Sequence, residues 1–105
     1  MPNTPDDLTP TQQEALRALR QATLDRINDN VDVEARLQYL AWQDSPDSSA
    51  ERRRRIRAVL AWVSYVWTTQ YDPARAKIIE GDTTATLPSE TATPCPFTFR
   101  DIAES

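Results

Sequence analysis

Apolar side chains recur at helical spacing along most of this chain and then give way to a polar, Thr- and Pro-rich end. Leu16, Leu19, Thr23, Ile27 and Val31, with Leu24 on the flank, form the first stripe. Thr9 stands as an N-cap, Pro10 suits the first helical position, and Gln12 occupies the capping-box partner position; together they predict a helix over about 10–29. Asn28-Asp29-Asn30 favours helix weakly. The chain therefore either restarts under an Asn30 or Asp32 cap over about 31–43, or bends and continues as one helix to Gln43. Val33, Leu37, Leu40 and Ala41 share a face there and are the expected core contribution.

Asp44-Ser45-Pro46-Asp47 reads as a turn, because proline disfavours helix in the residue before it. Ser48 and Glu51 then have capping-box spacing at the start of the strongest element, a helix over about 49–71. Ile56, Val59, Leu60, Val63, Val66, Trp67 and Tyr71 line one face of it. Asp72-Pro73 suggests a fresh cap and a short helix over 73–80, with a kinked continuation as the alternative, and Gly81 marks the stop. Residues 1–8 are polar and expected to be disordered. Residues 82–105 are expected to form an extended arm whose anchor, over 97–102, docks Phe97, Phe99 and Ile102 into a groove or sheet edge of this protein or a partner. The predicted fold is all-α: a helical hairpin or small three-to-four-helix bundle over 9–81 with an extended C-terminal arm.

Composition narrows the chemistry. The 105 residues include no histidine, one cysteine and one glycine. Histidine-dependent acid–base or metal chemistry, Cys-rich zinc sites, and the glycine-rich phosphate and dinucleotide loops are thereby excluded. The carboxylates show no paired arrangement, and Ser45, Ser48 and Ser64 have no base to activate them, so no catalytic residue, metal or cofactor is expected. Cys95, between two prolines, reads as an incidental thiol or an intersubunit disulfide partner. No apolar run reaches the roughly 18–20 residues that span a bilayer, and the first ten residues are acidic and polar rather than basic then apolar. The expected product is soluble, without a signal peptide or membrane span.

The net charge is −4, which disfavours generic nucleic-acid binding, but it is unevenly distributed. Residues 1–47 carry nine acids and four arginines, net −5; residues 48–80 carry three acids and seven bases, net +4; the remainder is net −3. Such contrast predicts acidic and basic faces meeting within the chain or between subunits. Arg52 to Arg55 fan over about 300° of a helix, so only Arg53 and Arg57, four apart, clearly share a face as a contact for an acidic partner or nucleic acid. An intramolecularly paired collar is the plainer reading.

A second stripe opposes each apolar face. Ala58, Trp62, Tyr65 and Thr69 lie opposite the Ile56 face, while Ala35, Tyr39 and Trp42 lie opposite the Leu37 face. Helices apolar on two sides bury both, and Trp and Tyr concentrate where interfaces derive their energy. Tyr39, Trp42, Trp62 and Tyr65, with Phe97, Phe99 and Ile102, are the expected partner interface; plain core is the competing reading.

The run from Arg55 to Trp67, followed by a Thr/Pro tail ending in Pro96-Phe97-Thr98-Phe99-Arg100-Asp101-Ile102, resembles short helical proteins encoded among phage and prophage morphogenesis genes. The resemblance implies a virion component or assembly factor of the head–tail or tail region, present in many copies, with terminal arms clasping neighbours. The expected function is thus non-enzymatic, structural or interaction-based, with the chain itself or a larger assembly as partner. The alternative is a small regulatory protein that binds nucleic acid, or a nucleic-acid enzyme, through the Arg52–Arg57 cluster.

Overall fold

The structure, a computed structural model, describes residues 8–89 and 93–105, so the segment expected to be disordered lies outside it except for Leu8. Every regular element among the described residues is helical, and the protein is all-α. The elements are α1 (Pro10–Asn30), α2 (Val33–Asp44), α3 (Ala50–Tyr65), a π-helical segment (Val66–Tyr71), α4 (Asp72–Ile79) and a short α5 (Phe99–Ala103).

Local chemistry sets the boundaries. Thr9 and Gln12 form the expected capping box of α1. The chain breaks at Val31, and the Asp32 side chain accepts from the Ala35 amide to start α2, so residues 10–44 form two helices rather than one bent one. Ser49, not Ser48, caps α3 by accepting from the Arg52 amide at 3.0 Å. That one-residue shift removes Glu51 from the capping box and leaves it free to pair along the helix. At the other end Gly81, at φ 116°, closes α4: its amide donates to the Ile78 carbonyl, and the Asp82 amide donates to that of Lys77.

α1 and α2 run in one direction, and α3, the π segment and α4 return antiparallel to them, which makes a helical hairpin. Three ties spaced along its length fix that register. Gln12 Nε2 donates to the carbonyls of Ile78 and Ile79, the Arg26 guanidinium donates to Gln70 Oε1 at 2.8 Å, and the Arg53 guanidinium donates to the Ser45 carbonyl. The return arm is helical through thirty consecutive residues, about 45 Å at the usual rise, in a molecule measuring 54 × 25 × 19 Å.

Asp72-Pro73 does not start a new helix. Asp72 has helical φ and ψ, makes no side-chain cap, and donates its amide to Trp67, five residues back. An interior proline gives no donor and crowds the carbonyl four residues before it. The wide turn immediately ahead of Pro73 lets the helix pass through instead of ending.

The interior forms two apolar clusters. The larger, at the α2–α3–α5 end, contains Ile27, Val31, Tyr39, Ile56, Val59, Trp62, Val66 and Ile102. The smaller, at the α1–α4 end, centres on Leu19, Ala74 and Ile78. Between them in sequence on the two arms lie buried polar residues: Thr23, whose hydroxyl donates to the Leu19 carbonyl, and Gln70 with its Arg26 bond. The return helix places Ile56, Val59 and Val66 inward as expected, with Leu60, Val63, Trp67 and Tyr71 half-buried.

α2 is inverted relative to the sequence expectation. Ala35 and Tyr39 are buried and Trp42 half-buried, whereas Val33, Leu37, Leu40 and Ala41 face outward. Periodicity identifies two opposed stripes, and the one carrying more area to remove from water, with its aromatic rings, is the one that packs.

Candidate functional site

The arginine cluster and the C-terminal segment explain each other. Thr98 and Asp101 form a reciprocal capping box, which turns the expected extended anchor into the helical turn α5. Ile102 is fully buried against the large cluster, leaving the carbonyls at the end of α5 needing donors. Arg52 supplies them: its Nε donates to the Ile102 carbonyl at 3.2 Å and its Nη2 to that of Ala103 at 2.9 Å, while Arg55 Nη1 donates to Asp101 at 2.9 Å. Cations in the first turn of α3 face an unfavourable local dipole, and the carbonyl ends of α5 offset it. Glu51 accepts two hydrogen bonds from Arg54 and one from Arg55, and these bonds hold its carboxyl down to about 2. Arg52 also lies 4.8 Å over the Trp42 ring, with Arg54 and Arg55 over Phe97. Of the two arginines expected to share a contact face, Arg53 donates to Ser45, and Arg57 is exposed with no hydrogen bond or ion pair among the described residues.

The aromatic residues marked for a partner are packed by their own chain. Trp62 is buried and its Nε1 donates to the Thr93 carbonyl at 2.9 Å; half-buried Tyr65 shares a 3.2 Å hydrogen bond with the Thr93 hydroxyl. The C-terminal segment thus lies along the second stripe of α3. Tyr39 is fully buried, stacked on Phe99 at 5.9 Å, and its hydroxyl has no hydrogen-bond partner among the described residues. Burial pushes its phenol up to about 12, with Cys95, Asp32 and Asp101 adding in the same direction. Trp42 meets Tyr39 and Phe99 at 6.2 and 5.6 Å, and Phe97 is half-buried. Half-buried Cys95 donates weakly to the Phe97 carbonyl, and desolvation raises its pKa, away from thiolate chemistry.

The surface residues that sequence reasoning missed are on α2. The exposed large hydrophobic side chains among the described residues are Val33 at 57%, Leu37 at 63%, Leu40 at 52% and Phe99 at 45%. Three of the four form a single stripe at i, i+4 and i+7, extended by exposed Ala41. Stripe and spacing were legible; which side faced water was not.

Two clefts open along α1. One of about 280 Å³ is lined by Ala15, Ala18, Leu19 and Ala22 against residues 83–87 and contains no titratable side chain. The other, about 470 Å³, contains Glu14, which pairs with Arg17. Neither offers two groups able to exchange a proton with a substrate. Among the described residues no group of three or more acids and cysteines is placed to hold a metal ion, and no helix is long and apolar enough to cross a membrane. No protein-family model matches the chain, and neither the curated proteins nor the solved structures include a significant match.

Proposed function

We propose that this chain is a non-enzymatic interaction subunit whose contact surface is the outward face of α2. The observation that carries this reading is the concentration of exposed aliphatic side chains on one face of one helix. Scattered single hydrophobics on a surface need no explanation, but an ordered stripe at i, i+4 and i+7 has the form of a helix offered to a partner. The stripe is backed by Tyr39 and Trp42, whose own packing holds α2 in place. The partner is the chain itself or a larger assembly, and the texture shared with phage and prophage morphogenesis proteins suggests a multi-copy virion component or assembly factor as its setting. Regulation of nucleic acid, or of a nucleic-acid enzyme, by the arginine cluster has weaker support, since Arg52 to Arg55 are engaged within the chain and Arg57 stands alone.

Co-purification from the native host separates the two readings. A complex lost in Leu37→Asp/Leu40→Asp but kept in Arg57→Glu, with unchanged thermal unfolding in both variants, supports the α2 face. A complex lost only in Arg57→Glu, or binding to DNA at moderate salt that Arg57→Glu abolishes, overturns it.

A further inference from the structure

Resting on the reading of α2 as the contact face, we infer that its occupant is a basic amphipathic helix of another protein rather than a second copy of this chain. Charge decides between them. Residues 28–47 contain five acids and one arginine, a net −4 equal to that of the whole chain. The single cation, Arg36, is half-buried and donates to Asn28 Oδ1 at 3.0 Å, away from any carboxylate. Asp29, Glu34, Asp44 and Asp47 are exposed, and their side chains make no ion pair or hydrogen bond among the described residues. Glu14, Glu51 and Glu104, by contrast, each pair with an arginine.

The bare carboxylates are placed to frame the stripe. At about 100° per residue, Glu34 falls on its flank beside Leu37, and Asp44 continues its line one turn beyond Leu40. An apolar ridge about 10 Å long with carboxylates at its side and end fits a helix that has leucine-like side chains at matching spacing and lysine or arginine beside them. A two-fold pairing of α2 with itself would instead set four carboxylates, Glu34 and Asp44 of each copy, against two arginines, with Asp29 and Asp47 of both copies nearby, repulsion that works against a stable match. Positions 1–7 and 90–92, outside the described residues, add no cations, since they contain Asp6, Asp7 and Glu90 and no lysine or arginine.

The test uses the full chain and two fluorescein-labelled helical peptides with the same leucine stripe, one flanked by lysine and one by glutamate, followed by fluorescence anisotropy. The lysine peptide is expected to bind and to weaken as salt rises. Leu37→Asp should reduce its affinity by about tenfold or more, the loss of one buried leucine. Glu34→Gln/Asp44→Asn should reduce it less and flatten the salt dependence, while the glutamate peptide should bind at least about tenfold more weakly. Equal binding of both peptides, each sensitive to Leu37→Asp, would overturn the basic occupant while leaving the contact face standing. Binding of the lysine peptide that ignores Leu37→Asp would reduce the effect to charge adsorption and overturn the inference. So would binding of neither peptide, in which case the co-purification experiment alone judges the face. A dimer in sedimentation that Leu37→Asp dissolves would overturn it in favour of a second copy.

Discussion

Replacing Ile102 with alanine, three residues before the last residue of the sequence, should be among the most damaging single changes in this protein. Terminal residues are ordinarily tolerant of substitution, but Ile102 is fully buried and packs with Ile56, Val59 and Tyr39 in the larger cluster. The change removes three carbons, about 2.4 kcal/mol at roughly 0.8 per methylene, and leaves a space that α3 is too constrained to fill, for a total of about 2–4 kcal/mol. A chain of this length has on the order of 5–15 kcal/mol of stability altogether. The expected fall in Tm is on the order of 10–20 °C. Leu37→Ala is the matched control: it removes the same three carbons, in the middle of a helix, but Leu37 is 63% exposed, so the change should stay within about 0.5 kcal/mol of the parent. Urea and thermal unfolding followed by far-UV circular dichroism measure both. The reasoning fails if Leu37→Ala costs as much as Ile102→Ala, which would return Leu37 to the core, or if Ile102→Ala costs less than about 1 kcal/mol.

Three further outcomes follow from individual groups. Gly81→Ala meets no atom within 4 Å of the added carbon, so its whole cost is the strained positive φ, about 1–2 kcal/mol in urea unfolding; no loss would mean the α4 terminus relaxes. Tyr39→Phe removes a buried hydroxyl that has no partner among the described residues and should be neutral or stabilising by up to about 1 kcal/mol, whereas a clear loss of Tm would reveal a bond to that oxygen. Glu51, held at about 2 by Arg54 and Arg55 against an ordinary 4.5, contributes stability that is complete above about 4.5 and fades as pH falls towards 2. Glu51→Gln should flatten that part of the acid-unfolding profile, and an unchanged slope counts against the pairing.

Much of the fold could be read from local signals. Thr9-Pro10-Gln12, the apolar spacing of α3 and the single glycine at 81 act within a few residues, and the structure uses each of them. The orientation of α2 could not be read this way, because a helix with two apolar stripes has no local term that chooses between them. That choice lies in what α3 and α5 place opposite, namely Ile56, Val59, Trp62 and Ile102. Thr98 and Asp101 did carry a readable capping signal for α5, obscured by the alternation of Phe97 and Phe99. The role of Arg52 and Arg55 was illegible in a different way: they donate to backbone carbonyls some fifty residues away, which no side-chain pattern announces. The candidate site inherited the α2 ambiguity, so the aromatic residues expected at an interface form the support, and the aliphatic ones expected in the core form the surface.

The polar layer at Thr23, Arg26 and Gln70 divides the hairpin into halves of unequal strength. The α1–α4 end rests on three buried apolar side chains, Leu19, Ala74 and Ile78, and the Gln12 tie, while the other end has the aromatic cluster and the arginine-bound C-terminal segment. Opening is therefore expected to start at the α1–α4 end, like a clothes-peg squeezed from one side: in hydrogen exchange, amides of α4 and the first turns of α1 should exchange before those of α3. The α2 face proposed as the contact surface lies on the half expected to stay closed, so a partner there would meet a preformed helix even when the far end has frayed.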